Sequence, residues 1–332
     1  GATPSTLSVK QLECIMQKIK CTFNFRGDME TSMEMNPGTA SKEKCRALYQ
    51  MGINRLSIGL QSTNDMELKT LGRIHSYEDF LNTYTWCREA GFQNINVDLM
   101  AALPYQTVES YTTGLRKIIR LAPEHISAYS LILEEGTPFY QKYNSGCYPL
   151  PDEEQERLMY RETEQILAQA GYERYEISNY AKKGYACRHN LVYWQGGDYL
   201  GLGLGSSSYM DDVRFHNTTD LDTYVNQGAY VEDREELSVQ AKMEEFMFLG
   251  LRVIAGVSGT EFEKRFGKTM EDVYGDVLRK HEEEGLLQIE RKEDRKEAAA
   301  AEPAKGKTNI EKVMLTTKGV DVSNYVFADF LL

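Results

Sequence analysis

Four polar residues stand where apolar strand patterns end. Glu34 closes the run from Thr31 to Met35, just before Asn36-Pro37-Gly38-Thr39. Gln61 follows Gly59-Leu60, Arg73 opens an Arg-Ile-His run after Leu71-Gly72, and Asp98 lies inside the apolar Ile95-to-Met100 stretch. Carboxylates accept hydrogen bonds from hydroxyl and ammonium groups, and arginine pairs with a carboxylate. Together the set suits a ligand with an amine, a ribose and a carboxylate, such as a nucleoside–amino-acid conjugate. Singly, each has a plain structural role. Glu34 and Asp98 could cap helices or pair with Arg73; Gln61 could close a turn; Arg73 could be a solvated cation. An aspartate within an apolar strand is costly unless it is hydrogen-bonded, so Asp98 needs a partner.

A second cluster is denser. Cys187-Arg188-His189-Asn190-Leu191-Val192-Tyr193-Trp194 brings together one of five histidines, one of two tryptophans and a tyrosine. Neutral imidazole is an iron ligand. Tyr193 and Trp194 offer flat faces with polar tips, and the glycine-rich run from Gly196 lets a planar group approach the backbone. The composition suits a porphyrin. The alternative is a core cluster in which His189 bonds a carbonyl and Trp194 fills space. His75, His125 and His216 stand alone, and His281 sits among charges that read as surface. No Ser/His/Asp order, P-loop or HExxH occurs. The six cysteines (14, 21, 45, 87, 147, 187) show no CxxC spacing, and read as reduced thiols.

These residues need elements to position them. Helical spacing marks Leu7 to Ile19, with Ser8 and Gln11 as a capping box, and also Ser41 to Tyr49, Ser76 to Ala90, Val108 to Leu121 and Glu153 to Ala170. Strands alternate with them at Thr31 to Met35, Arg55 to Leu60, Ile95 to Met100, Ile126 to Leu133 and Tyr172 to Ile177. This order predicts parallel βαβ units in an α/β fold, a partial TIM-like barrel rather than a flat doubly wound sheet. Polar groups at the C-terminal ends of its strands would line the ligand mouth.

Three segments follow: residues 1–180 as barrel, 181–238 as a Gly/Tyr-rich stretch with little periodicity, and 239–332 as a winged-helix-like module. In the last, helices are expected at 239–254, 259–266 and 270–284, with a hairpin from Leu286–Ile289 and Val313–Leu315 around a low-complexity insert at 291–310. The third helix carries two cations, Arg279 and Lys280, against six acids, 2 − 6 = −4, which would repel phosphates. The whole chain has 38 Lys+Arg against 50 Asp+Glu, a net charge of −12 over 332 residues, so nucleic acid is not an expected partner. No run of 18 apolar residues predicts a transmembrane segment, and the chain reads as cytoplasmic.

The motifs resemble a known family. Gly1-Ala2-Thr3-Pro4-Ser5-Thr6-Leu7-Ser8, Glu34 to Thr39, Asn54 to Ser62, Leu71 to His75 and Asn96 to Met100 are similar to segments of the oxygen-independent coproporphyrinogen III oxidase superfamily of radical S-adenosylmethionine (SAM) proteins. His189-Asn190-x-x-Tyr193-Trp194 with Gly196-Gly197-Asp198-Tyr199 resembles the signature of its HemW branch, which comprises heme chaperones. The resemblance implies a partial (βα)6 barrel that binds SAM at its mouth and a 4Fe–4S cluster through a CxxxCxxC loop. It implies that Glu34, Gln61, Arg73 and Asp98 contact SAM. It also implies that His189, Asn190, Tyr193 and Trp194 handle heme, with His189 as iron ligand and hemoproteins as acceptors.

The sequence departs from the family pattern in several places. It begins at the Gly-x-Thr-Pro segment, downstream of where the cluster loop should lie, and its own cysteines cannot replace that loop. The chain therefore reads as an N-terminally truncated member that holds no cluster and performs no radical chemistry. Ala2 and Ala102-Leu103-Pro104-Tyr105 replace glycine-richer turns, and Ser206-Ser207 stand where many relatives carry Ala-His. The expected function is heme binding and transfer. The alternatives are an oxidase that decarboxylates coproporphyrinogen through a 5′-deoxyadenosyl radical, and a non-catalytic binding scaffold.

Overall fold

Apolar and polar residues alternate along the first four strands, and the sheet they build has two unlike faces. The structure, a computed structural model, describes residues 3–228, 230–292 and 309–332. It divides into two units between Ala186 and Cys187.

In the first unit, strands β1 (Ser32–Met35), β2 (Arg55–Gln61), β3 (Ile95–Ala101) and β4 (His125–Ser130) pair in parallel and in sequence order. Met33 and Met35, Leu56 and Ile58, Ile95 and Val97, and Ile126 and Ala128 enter one hydrophobic core. Helices cover that face: α1 (Val9–Thr22), α2 (Lys42–Gln50), α4 (Tyr77–Ala90), α5 (Val108–Arg120) and α7 (Glu153–Gln169), with the shorter α3 (Asp65–Thr70) and α6 (Pro138–Asn144) between them. Leu12, Leu48, Phe80, Leu115, Ile118, Ile166 and Leu167 supply their side of the core. Because side chains alternate with period two, the intervening residues share the opposite face: Glu34, Ser57, Asn96, Asp98, His125, Ser127 and Tyr129.

Local signals set these helices as expected. Ser8 and Gln11 form the capping box of α1, Ser76 and Asp79 that of α4, and Asp152 and Gln155 that of α7. Each box satisfies backbone N–H groups that the first turn leaves without partners.

The last two strands refine the repeat. β5 (Glu173–Glu176) and β6 (Asn179–Ala181) pair antiparallel, and β6 inserts between β4 and β5 in the order β1-β2-β3-β4-β6-β5. The link between them is only Ile177-Ser178, far too short for a crossover, so the chain must turn back. β5 thus runs with β1–β4 but lies at the edge. The result is the expected α/β partial barrel of six strands.

The second unit opens with α8 (Arg188–Trp194), a helix where little periodicity was legible. An antiparallel sheet of β7 (Ser207–Met210), β8 (Val213–Asn217) and β9 (Val231–Glu236) follows, with α9 (Leu221–Gln227) between β8 and β9. Next come α10 (Val239–Gly250), β10 (Val257–Ser258), α11 (Gly259–Phe266), α12 (Met270–Glu283), β11 (Leu287–Lys292) and β12 (Asn309–Leu315), in the sheet order β10-β12-β11. This is the winged-helix-like order, closed by α13 (Thr317–Asp321) and α14 (Ser323–Ala328). The core of the bundle is aromatic. Phe262 meets Phe246 at 5.4 Å, Phe266 at 4.8 Å and Tyr274 at 6.0 Å, and Tyr274 meets Phe330 at 5.2 Å. Most of the expected 291–310 insert, residues 293–308, lies outside the described residues.

One expectation is overturned here. His281 is not among surface charges: its side chain is 0% exposed, with Nε2 2.9 Å from Asp329 and Nδ1 3.3 Å from Glu284. It continues the buried stripe Met270, Tyr274, Leu278 on α12, whose 4, 4, 3 spacing keeps all four on one helix face. The neighbouring acids masked that spacing in the sequence.

Candidate functional site

Strand register sets the site. Glu34 lies beside Ser57, Ser57 beside Asn96, and Asn96 beside His125, making one polar row across four strands. One step toward the C-terminal ends, Asp98 lies beside Ser127, and Met100 lies beside Tyr129. A bulge between Ile58 and Gln61 interrupts the β2 ladder. It leaves Gln61 in the left-handed region at φ 75°, unusual for a residue with a Cβ. Glu67, buried beneath it, accepts hydrogen bonds from Ser62 at 2.6 Å and Gln106 at 2.9 Å, which pins the turn that carries Gln61.

The four residues singled out in the sequence converge. Tyr129 donates its hydroxyl to Gln61 Oε1 at 2.9 Å. Burial first, and the nearby Asp98 charge second, push the Tyr129 phenol up to about 12; Glu34 adds to this, while Gln61 and Arg73 oppose it. One side chain therefore senses all four. A methyl group at Gly59 would sit 3.2 Å from Gln61 Nε2, 3.3 Å from Asn36 Oδ1 and 3.9 Å from Asp98 Oδ2. Gly59 is the floor of a polar cradle that any side chain would fill.

Asp98 does not pair with Arg73. Its carboxylate accepts from Asn96 Nδ2 at 2.7 Å and from Ser57 Oγ at 3.3 Å. Burial raises its pKa above the ordinary carboxylate value; the hydrogen bonds from Asn96 and Ser57 counter this, and the Glu34 charge reinforces it. Among the described residues, neither Glu34 nor Arg73 has a side-chain hydrogen bond or ion pair. A carboxylate and a guanidinium left uncommitted beside a polar cradle fit an amine- and carboxylate-bearing nucleoside. Asn36, Ser57, Gly59, Asn96, His125, Ser127 and Tyr129 were not picked out from the sequence as members of this site. The period-two alternation of polar residues along each strand was the available signal.

The second cluster forms part of the second unit. His189 is exposed on the first turn of α8, and its ring meets Tyr193 edge-on at 4.7 Å. Tyr193 meets Tyr199 at 4.6 Å, and Tyr199 meets Tyr209 at 6.4 Å. Trp194 turns inward, with the Arg252 guanidinium 4.5 Å from its ring centroid and its buried Nε1 without a hydrogen-bond partner. Asn190 is half-buried on the same helix. The glycine run does admit a close backbone approach, and the partner is the chain itself: a methyl at Gly201 would collide with the Ser207 carbonyl oxygen. Leu200, Leu202 and Leu204, which alternate with the glycines, are exposed.

Among the described residues no three His, Cys, Asp or Glu side chains form a metal-binding group. Cys14, Cys21 and Cys147 are exposed, and Cys45, Cys87 and Cys187 are buried. The described residues therefore do not build a three-thiolate site for a cluster.

The Radical SAM superfamily pattern matches residues 1–116, and the HemN C-terminal domain pattern matches residues 237–293. A heme chaperone HemW of Lactococcus lactis subsp. lactis is 35% identical over 335 residues, spanning 100% of this chain and 83% of that protein. The heme chaperone HemW of Bacillus subtilis is 37% identical over 292 residues, 86% of this chain and 77% of that protein. The chain belongs to the HemW heme chaperone family. This HemW-family chain has the fold of the coproporphyrinogen III oxidase HemN from Escherichia coli, a radical SAM enzyme, with a TM-score of 0.81 over 100% of this chain and 76% of that one at 21% identity. SAM and a 4Fe–4S cluster are features of the radical SAM superfamily to which HemW proteins belong. No helix among the described residues is long and apolar enough to cross a membrane.

Proposed function

We propose that this HemW-family chain is a heme chaperone. It binds heme on the α8 surface through His189 and passes it to hemoproteins, with SAM held at the rim of the barrel. The observation that carries the reading is the exposed His189 ring at the end of the Tyr193–Tyr199–Tyr209 ladder, in a chain whose relatives are named heme chaperones. An imidazole supplies one iron ligand, and aromatic edges and exposed leucines offer apolar contact to a porphyrin. Asn190 and Tyr193 flank the iron ligand in this reading, and the inward Trp194 holds α8 against Arg252.

In the barrel, Glu34 and Asp98 accept from the ammonium and hydroxyl groups of SAM, Arg73 pairs with its carboxylate, and Gln61 hydrogen-bonds it beside Gly59. Bound SAM, together with a cluster, is the source of radical chemistry in this superfamily. The residues of this chain bind and orient it. The functional division follows the sequence: residues 1–180 for SAM, 181–238 for heme, and 239–332 as a contact module.

Titration with heme, followed in the Soret band, tests the central claim. His189→Ala should weaken binding at least about tenfold, a loss of about 1.4 kcal/mol. Equal affinity in both proteins would remove His189 as the ligand.

A further inference from the structure

We infer that His125 and Asn96 are positioning residues for Asp98, linked in a one-way hydrogen-bond chain, Tyr175 to His125 to Asn96 to Asp98, that aims the carboxylate at a ligand hydroxyl or ammonium group. The inference deepens the SAM-site reading and rests on it for the identity of the ligand.

The chemistry of each group sets the direction. Asn96 Nδ2 lies 2.7 Å from Asp98 Oδ1 and 2.8 Å from Ser57 Oγ. An amide nitrogen donates to a carboxylate, whereas the flipped amide would set an oxygen against it. Asn96 Oδ1 therefore faces His125 Nδ1 at 2.6 Å, and Ser127 Oγ donates to the same oxygen at 3.1 Å. An amide oxygen only accepts, so His125 carries its proton on Nδ1. The Tyr175 hydroxyl, 2.9 Å from Nε2, then donates to the bare nitrogen. Every proton in the chain points toward Asp98.

Burial separates these residues from the ligand. His125 is 0% exposed and Asn96 2%, so neither reaches the rim. Burial, with the Arg55 charge, keeps the His125 pKa well below its ordinary value, so the ring stays neutral and its tautomer is defined. The groups facing Asp98 are Glu34 from β1, Ser57 from β2, Asn96 from β3, and Ser127 and Tyr129 from β4; Arg73, which follows α3, faces Tyr129. The donors favour the charged carboxylate and offset part of the upward shift that burial and the Glu34 charge impose. Removing His125 leaves Asn96 Oδ1 with Ser127 as its one remaining donor among the described residues, so the amide is held less firmly against Asp98.

His125→Leu and His125→Asn separate positioning from packing. An asparagine amide nitrogen sits close to where the imidazole Nδ1 lay, so His125→Asn keeps a donor to Asn96 and His125→Leu does not. In the full chain carrying 13C-labelled aspartate carboxyls, His125→Leu should raise the Asp98 titration midpoint by about one pH unit, and His125→Asn should leave it within a few tenths. SAM affinity at neutral pH should fall about tenfold in His125→Leu, stay within about twofold in His125→Asn, and show no further loss when His125→Leu is added to Asp98→Asn. Equal effects of the two variants on the midpoint, or no effect of either, would overturn the positioning role. If the wild-type chain bound no SAM while the midpoint contrast held, the chain would stand and the SAM reading would fall. Should His125→Leu not fold, 15N shifts of the wild-type ring decide the matter: a protonated Nδ1 supports the chain, and a protonated Nε2 sinks it.

Discussion

Asn96 and Asp98 lie two positions apart on β3, and the amide of the first donates to the carboxylate of the second at 2.7 Å. The contact exists because a strand returns its side chains to the same face every second residue. It resolves the cost of an aspartate in an otherwise apolar strand without an ion pair. It also leaves Arg73 available at the rim.

Asp98→Asn keeps the side-chain volume and removes the charge. SAM affinity should fall about 10- to 100-fold, with the thermal midpoint lowered little, since the carbonyl oxygen of the substituted amide can still accept from Ser57. Calorimetry with SAM checks this. Affinity within about twofold of wild type would take Asp98 out of the ligand's reach.

Gly59→Ala fills the cradle. The added methyl meets Gln61 Nε2 at 3.2 Å and Asn36 Oδ1 at 3.3 Å, both ends of side chains that can give slightly. A stability loss of about 1 kcal/mol is expected, with a larger loss of SAM affinity, about tenfold or more. Unfolding and binding measured on the same preparation would separate the two; an unchanged affinity would place the ligand elsewhere.

Acid should destabilise the first unit through its buried histidines. Burial, joined by the Arg55 charge, holds the His125 pKa well below its ordinary value; burial likewise lowers that of His75, although the Leu60 carbonyl opposes it. An unfolded histidine titrates near 6.5, so below that pH the unfolded chain binds more protons and stability drops. The slope is about 1.4 kcal/mol per pH unit for each such histidine. Asp98, raised by burial, has the opposite sign, since above the unfolded midpoint of about 3.9 its folded form holds a proton that the unfolded form has lost. Urea unfolding between about pH 7.5 and 5.5 should show the loss, and His125→Asn should flatten the slope. A wild-type profile that is level across this range would contradict the buried neutral state.

Phe262→Ala should cost about 3–5 kcal/mol in the second unit, because the ring is fully buried against three others. Loss of the near-ultraviolet aromatic signal at a lower denaturant concentration would report it. A cost under about 1 kcal/mol would mean that the bundle closes over the gap.

Much of the scaffold was legible because its signals are local. The capping box at Ser8, the order of helix and strand in the first unit and the three helices after residue 239 need only near neighbours along the chain. α8 was harder to see, since it spans only seven residues and none of them is fully buried. Ile177-Ser178 reads as a turn only once β6 is seen to pair with β4. His281 was misplaced because composition outweighed spacing. In the site, Glu34 and Gln61 were visible as polar groups near strand ends, Asp98 as an acid inside an apolar strand, and Arg73 as a cation after Leu71-Gly72. Tyr129, His125 and Gly59 were not, since nothing in their own segments says which strand lies beside them.

The sequence alone determined most helices and strands of the first unit, that an aspartate lies within an apolar strand, and that a histidine shares a short segment with Tyr193 and Trp194. Only the tertiary structure decided the register that sets Ser57 beside Asn96 and Asn96 beside His125. Helix propensity and capping are settled within a few residues. Which polar groups become one another's partners depends on contacts across 29 to 50 residues of chain, as in the His125 bonds to Asn96 and Tyr175, and such contacts form only when the strands dock.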